Sequence, residues 1–403
     1  MPNKKTIIIA GLGPAGLTAA NFFAQDSDWT VRGYERLPEP TKETSHDSRG
    51  YGFTFSPRGL SCLPGELKKL VQSDCHPISE RVFVYHDGSR KSFPYGLKDS
   101  DKLHALSRLD FLLRAKTKAQ EAGAELRYLS DVTDVDPIAG EITYRANGPP
   151  QTDKGNLVLG ADGAFSIIRA RVSALSGASY CVMYDGVRFI TVSLEEEEVN
   201  LLTQKNLVGL HFFISKKGTD VLIPTPPKGT LLIMSRLLPG IGRLTKHDAV
   251  AVASTRNVLV KDVVKGLAKR LENLPIGHFV STEMERPYAE RCVIVGDAWK
   301  AMPAYAGQGV NAAVQDVFDL VKMIDEYPTI DVALPHFSSH RRKQRTALNA
   351  LNKNIGVQLL DGTYGGPEWR AKERFRIFLN RHLLHESWRS RYQRLAFDLD
   401  ENP

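Results

Sequence analysis

Residues Ile7-Ile8-Ile9-Ala10 run straight into Gly11-Leu12-Gly13-Pro14-Ala15-Gly16, and this junction limits the possible folds more than any other stretch. A four-residue apolar run reads as a strand buried on both faces, and Leu17, Ala20, Phe23 and Ala24 then recur at helical spacing. A strand that enters a helix through three glycines belongs inside a parallel sheet covered by helices. Gly11 makes the tight turn, Gly13 lets a ligand approach the backbone, and Gly16 lets the helix pack closely on the strand. A second strand, Thr30 to Tyr34, ends in Glu35, about 20 positions on, where a carboxylate can accept hydrogen bonds from a ribose. The G-x-G-x-x-G fingerprint of dinucleotide binding therefore stands in its required context, without saying which dinucleotide.

A second strand-loop-helix pattern runs from Val293 to Asp316. Its apolar run stops at Gly296-Asp297, a loop rich in Gly, Pro and Ala follows, and Gly307-Gln308-Gly309 opens a helical segment through Val310, Asn311, Val314 and Val317. Such a helix aims unpaired N–H groups and partial positive charge at whatever lies above it, which suits an anion or an electron-rich ring edge. A third pattern, Leu157 to Gly160 followed by Asp162-Gly163 and then Ser166 and Arg169, repeats the strand, turn and helix.

Between these motifs the pattern changes. Val182–Leu194, Leu207–Ile214, Val221–Pro224 and Thr230–Leu238 are successive strand-like runs separated by turn residues, which predicts an antiparallel sheet inserted into the first domain. Tyr184, Arg188, His211 and Arg236 lie on these strands and are the candidate substrate contacts. Val82–Tyr85 and Lys91–Tyr95 read as a hairpin, Arg108 to Ala122 as an amphipathic helix, and Val258 to Asn273 as another helix. From Asp331 onward the chain reads as helical, with a basic run at His340-Arg341-Arg342-Lys343-Gln344-Arg345 and a later segment mixing Trp369, Phe375, Phe378 and Trp388 with arginines. Packing of that segment on the main body is favoured over a membrane-surface role.

Formal charge is +7, but it is spread along the chain and no nucleic-acid-binding motif accompanies it, so a basic cleft for phosphate-bearing cofactors is the simpler account. Cys62, Cys75, Cys181 and Cys292 form neither a disulfide framework nor a metal spacing. No apolar run approaches the length of a membrane span or signal peptide, and a cytoplasmic location is expected.

The three motifs in this order, with a β-rich insertion after the second, resemble the single-component FAD-dependent aromatic hydroxylases, the para-hydroxybenzoate hydroxylase-like flavoprotein monooxygenases. The resemblance covers about residues 1 to 350. It implies an α/β fold: a Rossmann-type FAD-binding domain built from residues 1–65, 98–175 and 285–330, a substrate domain from 66–97 and 176–284, and a helical segment from 331–403. By the same resemblance Gly11, Gly13, Pro14, Ala15, Gly16, Glu35 and Arg36 hold the ADP half of FAD, and Arg49 and Arg108 contact the cofactor. Gly296 and Asp297 hold the ribityl chain, and Gly307, Gln308, Gly309, Val310 and Asn311 face the pyrimidine edge of the flavin. Asp162 and Gly163 serve FAD and the transient donor, NADPH or NADH, while Pro303 and Gly309 form the flavin-ring environment, with Met302, Ala304 and Tyr305 as apolar walls.

The implied reaction is reduction of FAD by the nicotinamide donor, addition of O2 at flavin carbon C4a to give a hydroperoxide, and hydroxylation or epoxidation of a small or medium aromatic or heteroaromatic substrate. No catalytic base can be named. The family usually carries His where Lys300 stands in Gly296-Asp297-Ala298-Trp299-Lys300, which removes a group that titrates near neutral pH. Two alternatives stay open: a reductase or oxidase on the same fold, and a flavin-binding partner protein without turnover. Substrate identity, the choice of NADH or NADPH and the oligomeric state are not legible.

Overall fold

A computed structural model describes residues 4–42, 51–96, 98, 100–215, 218–235, 243–361, 363–382 and 394. Arg49 and Arg236, two of the candidate site residues, lie outside the described residues.

The apolar runs Lys5–Ala10, Leu157–Gly160 and Cys292–Ile294 form the centre of one six-stranded sheet, in the order Tyr288–Ala289, Cys292–Ile294, Leu157–Gly160, Lys5–Ala10, Trp29–Tyr34, Glu125–Arg127. Every neighbouring pair is parallel except the outermost, Tyr288–Ala289 with Cys292–Ile294. Ile7, Ile8, Ile9, Leu157, Val158, Leu159, Val293 and Ile294 are fully buried, as expected of strands covered on both faces. From Lys5–Ala10 the chain moves to Trp29–Tyr34 on one side and later to Leu157–Gly160 on the other, so the sheet order reverses at the first strand. Loops leaving such a reversal point diverge and open a crevice at the carboxyl ends of the strands.

A second sheet of seven strands runs in the order Gly277–Met284, Tyr180–Leu194, Lys228–Ser235, Gly218–Thr225, Gly209–Ser215, Glu80–Val84, Arg90–Pro94. It is antiparallel as expected, except that Gly209–Ser215 pairs in parallel with Glu80–Val84. One face packs Ile190, Val192, Phe213, Leu222 and Ile233 against short helices carrying Val199, Leu202, Val252 and Val260. The expected helix Val258 to Asn273 is two, Val258–Val263 and Leu267–Asn273, because Val264 is extended between them. The other face of the sheet looks back at the first domain.

Helix Ile330–Leu360 lies along helix Gly309–Glu326 and reaches the second sheet through Ile355 and Leu359. Trp369, in the following helix Pro367–His382, inserts between Phe83, Phe93 and Tyr364 at ring-centroid distances of 5.1, 5.2 and 5.3 Å. This part of the C-terminal segment therefore packs on the body, while Phe375 and Phe378 stay exposed; Trp388 lies outside the described residues. No helix among the described residues is long and apolar enough to cross a membrane.

Candidate active site

The crevice at the reversal point and the inner face of the second sheet enclose one continuous cavity of about 600 Å³. At one end it is walled by Gly11, Gly13, Pro14, Ala15, Glu35 and Arg36, in the middle by Tyr51, Arg108, Asp162, Gly163 and Asp297, and beyond by Gly307, Gly309 and Val310. It continues into a chamber between Phe212 and Leu232 of the sheet and Ile355 and Leu359 of the long helix.

The glycine-rich turn is held from behind. Gly11 has φ +93, and a Cβ there would stand 2.5 Å from the Ala161 carbonyl oxygen. A Cβ at Gly16 would collide with the Gly11 carbonyl, so this glycine sets the approach of helix to strand. A Cβ at Gly13 or Gly309 would meet no protein atom within 4 Å. Both lie where helices Pro14–Gln25 and Gly309–Glu326 begin without a side-chain cap, so their free N–H groups face cavity space. Glu35 closes the turn: its two oxygens accept from Leu12 N at 2.9 Å and Leu37 N at 3.0 Å, with lone pairs left over for a ligand.

Asp297 lies open to the cavity it borders, set among the buried residues Gly296, Ala298 and Trp299, and its carboxylate makes no hydrogen bond among the described residues. Burial raises its pKa, with Arg345 and Arg108 opposing that shift. Gly296, at φ +61, makes the turn that places it there. Arg108 starts helix Arg108–Glu121, borders the same cavity, stacks its guanidinium 5.4 Å from the Tyr51 ring centroid, and has no ion-pair partner among the described residues. Asp162 caps helix Ile167–Ser176 through Ile167 N at 2.9 Å while its Oδ1 is buried without a partner among the described residues. Arg169 clamps the two loops together, donating to Ala298 O at 2.9 Å and Ala164 O at 2.7 Å.

Other expected residues are placed differently. Gln308 and Asn311 turn into the protein: Gln308 Oε1 accepts from Arg58 at 2.9 Å, and Asn311 accepts from Ser56 N at 2.8 Å and donates to Thr54 O at 3.0 Å. Pro303 is buried and off the cavity wall, which Met302, Ala304 and Tyr305 do line. His211 and Arg188, expected as substrate contacts, do not line the cavity. Neighbouring residues on a strand point to opposite faces, and Leu210, Phe212 and Phe189 face the cavity, so His211 and Arg188 face away. Tyr184 is largely exposed at the rim, against Phe165 and His278, which do border the cavity. Lys300 is buried off the wall, its ammonium reaching Thr346 Oγ1 at 3.3 Å, and burial lowers its pKa.

A group that sequence reasoning passed over supports the Asp297 turn from below. Asp316 accepts from Gly296 N at 2.9 Å and from Arg341 at 2.8 Å, and lies 3.6 Å from Arg345, which donates to Gly296 O at 2.9 Å. All three side chains are fully buried. The available signal was the four-residue spacing of Arg341 and Arg345, which puts both on one face of a helix while Arg342 and Lys343 point outward.

The residues present fit a dinucleotide carrying a flavin. Two uncapped helix starts suit a pyrophosphate and an electron-rich ring edge, an unpartnered carboxylate suits a polyol chain, and the open Gly13 and Gly309 positions give room for backbone approach. Comparison with known proteins agrees. The FAD binding domain family matches residues 106–329. Kynurenine 3-monooxygenase of Salinispora tropica is 24% identical over 363 residues, covering 87% of this chain and 79% of the relative. The tetrameric form of 2-methyl-3-hydroxypyridine-5-carboxylic acid oxygenase superposes with a TM-score of 0.73 at 19% identity, covering 92% of this chain and 96% of that one. CtdE in complex with FAD and a substrate gives 0.73 at 18% identity, covering 91% and 92%. These two structures establish a shared fold.

Proposed function

The chain belongs to the FAD binding domain family, and from that premise we propose that it is an FAD-dependent monooxygenase, drawing electrons from NADH or NADPH and oxygen from O2 to hydroxylate an aromatic or heteroaromatic substrate. One observation carries the reading: cofactor-type walls and an apolar chamber belong to a single cavity, so a bound flavin and a bound ring would share one space. The Salinispora relative is named as a monooxygenase and the pyridine-acid protein as an oxygenase, which supports oxygen insertion over simple reduction.

Bound FAD supplies a redox centre that accepts hydride and activates oxygen. The chain's own groups bind and orient it. The start of helix Pro14–Gln25 and the exposed Arg36 meet the pyrophosphate, and the spare lone pairs of Glu35 accept from a ribose. Asp297 accepts from the ribityl hydroxyls, and the start of helix Gly309–Glu326 places positive potential beside the ring. Met302, Phe279 and Ile355 keep water out of the reacting space. On this reading residues 1–65, 98–175 and 285–330 carry the cofactor, 66–97 and 176–284 wall the substrate, and Ile355, Leu359 and Tyr364 of the C-terminal segment 331–403 close the chamber.

The test is spectral and isotopic. The purified protein should be yellow or bind added FAD, aromatic compounds should accelerate its anaerobic reduction by NADPH, and labelled O2 should enter the product. Reduction without label in any product would assign a reductase or oxidase instead.

A further inference from the structure

The start of helix Gly309–Glu326 is supported on a side that does not wall the cavity. Gln308, Asn311 and Gln315 lie about one and two helical turns apart and are all buried. The short helix Pro57–Ser61 packs on the face they form. A Cβ at Gly59 would collide with the Asn311 side chain, and Ser56, which caps the short helix, donates its N–H to Asn311 at 2.8 Å. This close approach lays the Arg58 side chain along the long helix. Its guanidinium donates to Gln308 Oε1 at 2.9 Å and to Gln315 Oε1.

Arg58 is 4% exposed. A buried cation is ordinarily matched by a carboxylate, whereas both of these acceptors are neutral amides. The carboxylates of the adjoining cluster, Asp316 and Asp319, are engaged by Arg341 at 2.8 and 3.2 Å. Burial, helped by the charge on Arg341, pushes the Arg58 pKa down to about 10, which still leaves the group charged at neutral pH. That charge stands one glutamine side chain behind Gly307 and Gly309, which wall the cavity where the flavin ring is assigned. It has the same sign as the field at the helix start and adds to it.

Resting on the assignment of FAD to this cavity, we propose that Arg58 is a positioning residue for the flavin: it holds the turn at 307–309 through Gln308, and its charge raises the reduction potential of the ring by favouring the reduced, negatively charged state. Unit charges about 10 Å apart at an effective dielectric of about 20 change an equilibrium on the order of tenfold. Charged groups elsewhere in the chain set the background potential, and removal of this one reads its own share.

The experiment reads the midpoint potential of FAD bound to the whole protein, by anaerobic reductive titration against a dye of known potential. Arg58→Met should weaken the preference for reduced over oxidised FAD about tenfold, a fall of about 30 mV for a two-electron couple. Arg58→Lys keeps the charge while losing the planar fork, so its potential should stay nearer to that of the unaltered protein than to that of Arg58→Met. Where Arg58→Met does not fold, Gln315→Glu carries the test: it keeps the acceptor for Arg58 and pairs the cation with a carboxylate, so the potential should fall in the same direction. An unchanged potential in the folded, FAD-loaded Arg58→Met variant, or in Gln315→Glu where that one replaces it, overturns the electrostatic role and leaves the FAD assignment in place. A fall in Arg58→Lys as large as in Arg58→Met assigns the effect to lost hydrogen bonds and overturns it as well. Failure of the unaltered protein to bind FAD removes the cofactor assignment and the role of Arg58 together. Incorporation of labelled oxygen is read separately, so the monooxygenase reading stands or falls on its own result.

Discussion

Asp297 combines a place on the cavity wall, a carboxylate without a partner among the described residues and a raised pKa, and these have opposite consequences with and without cofactor. Asp297→Ala should weaken FAD retention by about 1.5–3 kcal/mol, the range for hydrogen bonds to a charged acceptor, measured by flavin release on dilution. The apo-protein should lose no stability at pH 7. A folded-state pKa raised above the unfolded value means that the native state holds its proton longer, so ionised Asp297 opposes folding as pH rises, and its removal relieves that. Gly309→Val should likewise leave the apo fold intact, since its Cβ enters open space, but should block the approach of the flavin, read as a colourless folded protein. His211 titrates the other way. Burial pushes its pKa down to about 4, and its Nε2 has no partner among the described residues. Stability should be unaffected above pH 6.5 and should fall as pH drops toward 4, by roughly 3 kcal/mol, because the unfolded state protonates first. His211→Phe should flatten that acid limb in thermal melts at pH 7 and pH 4.5. The sequence could not assign His211 a face, because alternation along a strand says which residues share a side and not which side meets the ligand.

At the scale of elements, helices Gly309–Glu326 and Ile330–Leu360 act as one support under the Asp297 turn. Arg345 binds the backbone of that turn and lies 3.6 Å from Asp316, all with no exposure. Arg345→Met should cost about 3–5 kcal/mol in urea unfolding, since it leaves buried polar groups without their cation. It should weaken FAD binding as well, because Gly296 loses a restraint. The glycine motifs were legible because their chemistry is local: turn, strand and helix lie within a dozen residues. The Asp316–Arg341–Arg345 group was not, since a basic run on a helix reads as solvated surface until a partner from another helix is placed against it. Strand Glu80–Val84 shows the same limit, pairing in parallel with Gly209–Ser215 more than a hundred residues away.

For the whole molecule, the cavity is walled by segments drawn from nearly its entire length, Ala10 to Tyr364. A ligand seated there binds only the assembled chain, so FAD at a hundredfold excess over its Kd should stabilise the protein by about 2.7 kcal/mol, seen as a concentration-dependent rise in Tm. The order of strands in the first sheet also has a consequence for synthesis. Leu157–Gly160 finds its second neighbour only in Cys292–Ile294. While the intervening residues are being translated, a fully apolar strand edge beside Lys5–Ala10 stands open, an invitation to association between nascent chains. Cofactor loading is therefore a late event in the life of each chain, and slow translation through the inserted sheet should increase demand for chaperones.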